Sequence, residues 1–204
     1  MRRAWRERRG WKAVACAAVV GCSVVALSAA PAAAWPAWLR PSSWELKTGY
    51  GWQYTNHKRP TNFQLHLLLP SVVIPLSGVM GPSWLRGRWT WNPELLVAIF
   101  SHPYVRPMFG FTPLQFRYEL EPIGRFHPYG LLGAGVLHSR INRGETGART
   151  NFNLQAGLGI RYALTARTGL MVEYRHIHIS NSGLEEHNTG LNTHTVLAGL
   201  SGDF

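Results

Sequence analysis

A histidine and a serine stand two positions apart near the end of the chain, His178 and Ser180, within Glu173-Tyr-Arg-His-Ile-His-Ile-Ser-Asn-Ser-Gly183. Residues two apart on a β-strand share a face and lie roughly 6.5–7 Å apart at Cα, which lets an imidazole nitrogen reach a hydroxyl. A serine hydroxyl is a weak nucleophile until a base takes its proton. The spacing therefore suggests Ser180 as a nucleophile and His178 as its general base, although a His-x-Ser alone occurs often without function.

A third group normally orients the imidazole of such a pair and stabilises its charged form. Asn192 has the matching position on the next predicted strand, and Glu185 and Glu186 lie between as acidic alternatives. An amide can accept a hydrogen bond from His178 and hold its tautomer, but it cannot offset the imidazolium charge. The candidate oxyanion donors are the side chains of Asn181 and Asn188 and the N–H of Gly183.

Alternating apolar and polar residues predict the strands that carry these groups. Segments of about 10–14 residues with period-2 patterning, separated by turn residues, are typical of a membrane barrel. We predict an all-β protein, an eight-stranded antiparallel transmembrane β-barrel. Prolines weaken the alternation of the earlier strands. The predicted strands are 43–55, 60–76, 86–100, 105–120, 126–140, 149–163, 166–180 and 192–204.

Parity along the seventh predicted strand places the His–Ser pair on the outside. Val172 and Tyr174 share the parity of His178 and Ser180, whereas Glu173 and Arg175 fall on the other face. In a barrel the apolar face meets lipid and the polar face fills the lumen. A soluble sandwich has the same alternation, but export, the aromatic content and the terminal Phe204 favour the barrel. A site on that face suits an ester within an amphiphile.

The N-terminal segment has the parts of a secretory signal peptide. Six basic residues in 2–12 precede an apolar run from Ala13 to Ala30 and the small triplet 32–34. We predict a signal over residues 1–34, cleaved after Ala34, and a barrel domain over 35–204. Lipoprotein cleavage with acylation of Cys22 is the alternative. Both cysteines, Cys16 and Cys22, fall in the signal, so no disulfide or thiolate metal site is expected in the barrel.

The net charge of the chain is +11, from 21 Lys+Arg against 10 Asp+Glu. Removing the six basic residues and Glu7 of the signal leaves about +6 over 170 residues (204 minus 34). An exported protein meets no nucleic acid, so anionic lipid is the expected partner. Whether the arginines at strand ends pair with lipid phosphates or are simply solvated stays open. These arginines are Arg86, Arg88, Arg140, Arg143 and Arg149.

Four histidines of the chain are candidates for a metal cluster. Imidazoles suit zinc or copper, but their spacing matches no closed site, so we expect neither a metal nor another cofactor. The four are His176, His178, His187 and His194.

The motif His-Ile-Ser-Asn-Ser-Gly (178–183) with Asn-x-Gly-x-Asn (188–192) resembles the signature of the lipid A 3-O-deacylase (acyloxyacyl hydrolase) family, H-x-S-N-A-G followed by N-x-G-x-acid. The resemblance extends through 149–159 and 128–135 and fades before about residue 90. It implies an eight-stranded barrel with an outward-facing site that removes a 3-hydroxyacyl chain from the 3-position of lipid A without a metal. It makes Ser180 the nucleophile and His178 the base, with Gly183 and Asn188 at the oxyanion site.

The departure from the family pattern is Asn192, which stands where the family has an acid. Two functions follow. The first is an outer-membrane esterase of the Gram-negative type that acts on lipopolysaccharide. The second is a catalytically weak or inactive barrel with a structural or lipid-binding role. The sequence leaves open which acyl chain is removed and whether two copies pair as a homodimer.

Overall fold

The computed structural model describes residues 36, 39–54, 62–102, 105–139, 147–184, 188 and 190–204. The predicted signal over 1–34, with both cleavage alternatives, lies outside these residues. The described residues are almost entirely antiparallel β-structure and include a short 3-10 turn at Ser83–Leu85. The strands are β1 Ser43–Gln53, β2 Gln64–Pro75, β3 Gly87–Trp91, β4 Glu94–His102, β5 Arg106–Leu120, β6 Phe126–Ser139, β7 Thr150–Ala163, β8 Thr168–Ser180 and β9 Leu191–Asp203.

These strands close into a ring, because β1 pairs with both β2 and β9. The predicted eight-stranded antiparallel barrel is confirmed, with one correction. The segment predicted as a single strand over 86–100 is two strands, β3 and β4, which share the gap between β2 and β5. Pro93 cannot donate to a ladder, and buried Asn92 turns its side chain to accept a hydrogen bond from Thr90 Oγ1 at 2.7 Å.

The two ends of the barrel differ. The end that carries both ends of the described ring, Ser43 and Asp203, is here called the terminal end, and the opposite end the loop end. Membrane barrels have longer loops on the extracellular side. Three of the four connections at the loop end are long, including the one between β8 and β9. Within the described residues, no helix is long and apolar enough to span a membrane.

The middle of the lumen is filled by a balanced network of buried charges. Arg117 contacts Glu45 at 2.6 Å, Lys47 contacts Glu94 at 3.1 Å, and Arg175 contacts Glu94 at 2.5 Å. Glu173 also pairs with Arg175 and accepts a hydrogen bond from the Tyr129 hydroxyl. The prediction that Glu173 and Arg175 face inward is confirmed, since both side chains are fully buried.

The lumen beneath the loop end of β8 and β9 is apolar instead. Ile177, Ile179 and Leu191 are almost fully buried there, and they alternate with the outward-facing residues of the predicted site. They belong to one cluster with side chains of β2, β4 and β5, such as Leu65 and Phe100. Close packing in protein interiors restricts rotamers and backbone shifts. The strands that carry the site therefore rest on a rigid backing.

Candidate active site

The centre of the site is a pair of facing side chains on β8 and β9. His178 lies directly opposite Asn192 in the register, and the His178 Nδ1 is 2.8 Å from the Asn192 Oδ1. Both side chains are half-buried, while the neighbours of His178 on its own strand, Ile177 and Ile179, point into the lumen. The pair therefore lies on the outer wall, as the parity of the strand predicts.

This hydrogen bond fixes the tautomer of His178. An amide oxygen only accepts hydrogen bonds, so the imidazole donates from Nδ1. The other ring nitrogen, Nε2, then carries the lone pair and can take a proton, as in a histidine base oriented by a third group. Asn192 is thus in the position that the sequence suggested for the orienting residue.

Ser180 is the last residue of β8 and lies half-buried on the same outer wall. Its register partner on β7 is the outward-facing Phe152. Among the described residues, its hydroxyl forms no hydrogen bond with His178. Catalytic hydrogen bonds are often long before substrate binds and tighten in the reacting complex. The structure therefore brings the predicted nucleophile and base to one face without joining them.

The turn after Ser180 is built around Asn181, whose side chain is fully buried. The Gly183 N–H donates to the Asn181 Oδ1 at 2.8 Å, and the Asn181 N–H donates to the Asn188 Oδ1 at 3.2 Å. Ser182 has φ 55° and Gly183 has φ 80°, two left-handed residues in succession that make the turn tight.

The three predicted oxyanion residues are therefore in one turn but differ in what they can offer. In this conformation the Gly183 N–H already donates a hydrogen bond to the Asn181 side chain, which stabilises the turn. The Asn188 side chain uses its oxygen on the backbone, which leaves its amide NH₂ as a donor. Glu185 and Glu186, the acidic alternatives to Asn192, lie outside the described residues.

Gly190 is a candidate site residue that sequence reasoning missed. It has φ 72°, and a Cβ built on it would lie 3.0 Å from the His178 Cε1 and 3.7 Å from the His178 Nε2. The backbone before β9 thus lies against the imidazole on the side of its free nitrogen. The sequence did contain an indication of this position, since Gly190 is the glycine of the Asn-x-Gly-x-Asn motif. The contact of Gly190 with His178, however, depends on the pairing of two strands.

Aromatic and histidine side chains continue the outer wall below the site. The Tyr174 hydroxyl hydrogen-bonds to the His194 Nδ1, and the ring of His194 lies 5.8 Å from that of His176 and 4.6 Å from that of Tyr54. Within the described residues, no group of three or more His, Cys, Asp or Glu side chains is arranged to hold a metal ion. His187, a member of the considered metal cluster, is not among them.

Comparison with known proteins identifies the family. The model of the lipid A 3-O-deacylase (PagL) family matches residues 29–201. The crystal structure of the outer membrane enzyme PagL has a TM-score of 0.59 and 20% sequence identity, covering 78% of this chain and 98% of that one. The crystal structure of Neisserial surface protein A has a TM-score of 0.54 and 10% identity, covering 79% and 96%.

At these identities the two structures show a shared outer-membrane β-barrel fold and no more. No curated protein sequence matches the chain. The family match stands on the sequence itself and covers most of it, from the end of the predicted signal to the last strand. The chain belongs to the lipid A 3-O-deacylase (PagL) family.

Proposed function

We propose that this protein is an outer-membrane esterase that hydrolyses the 3-O-linked acyl chain of lipid A, with Ser180 as nucleophile and His178 as base. One observation carries the mechanism: on the outer wall, two residues before Ser180, the His178 Nδ1 is held at 2.8 Å by Asn192. A serine nucleophile needs a base with a fixed tautomer, and the half-buried imidazole of His178 meets that requirement.

The reaction follows from these positions. The Ser180 Oγ attacks the ester carbonyl carbon while the His178 Nε2 takes the hydroxyl proton, and the carbonyl electron pair moves to its oxygen. Collapse of this intermediate breaks the bond between the carbonyl carbon and the sugar oxygen, which receives the proton from His178. The acyl chain stays on Ser180. A water molecule then attacks the acyl carbonyl while His178 takes its proton. Collapse of this second intermediate breaks the bond between the acyl carbon and the Ser180 Oγ, which receives the proton from His178, and the fatty acid is released.

The oxyanion of each step needs donors close to Ser180. The NH₂ of Asn188 is one, because its oxygen already anchors the backbone of Asn181 and so fixes the side chain. The Gly183 N–H is the second, once it exchanges its contact with the Asn181 side chain for the substrate. Asn181 itself acts on the turn rather than on the substrate, since its side chain is fully buried.

The position of the site agrees with lipopolysaccharide as substrate. Ser180 ends its strand at the loop end, which has the features of the extracellular side. An ester between a sugar and an acyl chain lies at the boundary between headgroups and hydrocarbon, at the level of strand ends. The proposed steps use side chains of this chain alone and call for no cofactor. Pairing into a homodimer stays a prediction.

A second function has a specific observation in its favour. The Ser180 hydroxyl and His178 are not hydrogen-bonded, and Asn192 replaces the acid of the family pattern. A neutral amide leaves the imidazolium of the transition state without a counter-charge, and replacing the acid of a serine triad can cost about 10⁴ in turnover. The chain could then be a weak or inactive barrel that binds lipid or has a structural role.

The deciding experiment is mass spectrometry of lipid A after incubation of lipopolysaccharide with the purified protein in detergent. The esterase predicts release of a free 3-hydroxy fatty acid and its loss from lipid A. Ser180→Ala should abolish release, while Ser182→Ala, in the same turn but exposed, should keep it. Release that survives Ser180→Ala would refute the mechanism. No release from the unaltered protein, folded in the same detergent, would favour the inactive barrel.

A further inference from the structure

One sector of the outer wall near the loop end is polar where a barrel normally faces hydrocarbon. We call it the polar sector, and it spans β8, β9, β1 and β2. Its rings touch one another across strands, for example Tyr54 and His194 at 4.6 Å and Tyr50 and His66 at 5.4 Å between centroids. The members of the polar sector are Tyr50, Trp52, Tyr54, His66, Tyr174, His176 and His194.

The strands are tilted, so register partners do not share a depth in the membrane. Following partners round the ring from Ser180 through β7, β6, β5, β4, β2, β1 and β9 leads back to β8 at Leu170, nearer the terminal end. Each step from a strand to its register partner in this direction therefore moves toward the terminal end. The outward residue level with His176 is then Leu154 on β7 rather than its register partner Ala156.

The same descent identifies residues at this depth all round the barrel. Tyr50 on β1, Leu154 on β7 and Phe111 on β5 lie level with His176. Tyr50 is 37% exposed, Leu154 57% and Phe111 42%. At Leu154 and Phe111 the wall is thus apolar at a depth where the polar sector carries imidazoles and phenols.

The polar sector has hydrogen-bonding groups that no described residue satisfies. Among the described residues, the Tyr50 and Tyr54 hydroxyls and the Trp52 indole N–H form no hydrogen bond. In hydrocarbon such groups would have no partner at all. The sector also contains no Asp, Glu, Lys or Arg, so a phosphate or other charged headgroup is not its complement. Its complement is a neutral layer of ester carbonyls, hydroxyls and water.

We propose that the polar sector draws the ester-and-water layer of the membrane down the barrel wall, so that the outer leaflet is locally thinned beside Ser180. A bilayer adapts its thickness to the apolar band of a protein at modest cost, and here the band is lower on one side only. On the proposed function, this brings substrate ester and hydrolytic water to a site on a lipid-facing wall, where water is otherwise scarce.

Spin labels at matched depth test the local thinning. Outside Cys16 and Cys22 in the predicted signal the chain has no cysteine, so single variants Tyr50→Cys, Leu154→Cys and Phe111→Cys can each carry one nitroxide. The protein is reconstituted in phosphatidylcholine vesicles, and collision rates with oxygen and with a water-soluble nickel chelate are measured. We expect a severalfold higher ratio of nickel to oxygen collisions at Tyr50 than at Leu154 or Phe111. Equal ratios at the three positions would overturn the proposal.

A second measurement tests whether the imidazoles cause the effect. His176→Leu with His194→Leu, added to Tyr50→Cys, should lower the nickel-to-oxygen ratio of the label to the values at Leu154 and Phe111. An unchanged ratio would show that these two imidazoles do not cause the thinning and would overturn their part in the proposal. Neither readout involves ester hydrolysis, so a failure of the proposed function and a failure of this inference are separate results. Retained heat-resistant migration on gels checks that each variant is folded.

Discussion

Asn192 is the residue where this chain departs from its family pattern, and exchanging it tests the proposed mechanism most directly. Its amide oxygen lies 2.8 Å from the His178 Nδ1. Asn192→Asp places a carboxylate oxygen at the same distance with the same side-chain shape, and Asn192→Glu restores the acid of the family with one more methylene. Both changes keep the tautomer of His178 and add a charge opposite the imidazolium of the transition state.

The size of the effect follows from the geometry. Two unit charges about 4 Å apart attract by about 4 kcal/mol at an effective dielectric constant of about 20. The pair is half-buried, so hydration and the cost of a carboxylate near lipid reduce this to about 2–3 kcal/mol. Since about 1.4 kcal/mol is tenfold in rate, we expect Asn192→Asp to raise kcat/KM by about 10²-fold. Asn192→Ala removes a hydrogen bond of about 0.5–1.5 kcal/mol and should lower it up to about tenfold.

The assay is the rate of 3-hydroxy fatty acid release from lipopolysaccharide in detergent, with the fraction of folded protein measured in parallel. Ser101→Asp is the matched control, since it adds a carboxylate to the outer wall at the loop end of β4, away from the site. Its rate should be unchanged. If Asn192→Asp were folded and no faster than the unaltered protein, His178 would not carry positive charge in the rate-limiting step, and the Ser–His mechanism would be wrong.

Three further changes separate the roles of site, backbone and lumen. Ser180→Ala should abolish fatty acid release and leave the unfolding midpoint in urea within experimental error, and a folded variant that still releases fatty acid would contradict the assigned nucleophile. Gly190→Ala places a methyl group 3.0 Å from the His178 Cε1 and should lower kcat/KM by about tenfold. The control is Gly124→Ala, since Gly124 has φ 63° and open space around it. This change should cost similar backbone strain without loss of rate. Arg175→Met leaves buried carboxylates uncompensated and should lower the free energy of unfolding by about 3–5 kcal/mol. Arg88→Met is the control, since its ion pair is partly exposed, and it should cost about 1 kcal/mol or less. Equal losses for the two variants would show that the lumen network is not a unit.

The strands and the outward position of the site could be predicted from the sequence because both depend on one local pattern. Lipid requires apolar side chains on one face and a packed lumen allows polar ones on the other, so parity alone assigned Glu173 and Arg175 to the lumen and His178 to the wall. The one strand predicted wrongly, 86–100, fails at Pro93, where a missing N–H interrupts the ladder. Periodicity cannot show such a break, since the alternation resumes on the far side.

Contacts between distant segments were beyond the sequence. Tyr54 lies beside His176 and His194 only because β1 closes the ring against β9. The partners of the buried charges also depend on the closure of the ring. Arg117 pairs with Glu45, and no spacing along the chain indicates this pairing. Asn181 was predicted as an oxyanion donor of the loop, and the sequence could not show that its side chain is buried and accepts a hydrogen bond from the Gly183 N–H.

The alternation that folds β8 also keeps its chemistry on the outside. Ile177 and Ile179 enter the apolar cluster of the lumen, where close packing restricts their positions. A register shift by one residue would expose both to lipid and turn His178 inward, since each side chain changes face. The same shift would turn the buried pair Glu173 and Arg175 toward lipid, where charged side chains are costly, and the hydrogen bond to Asn192 would be lost with it. The residues that face the lumen are therefore what holds a hydrolytic pair against the membrane, and the two functions of the strand cannot be changed independently.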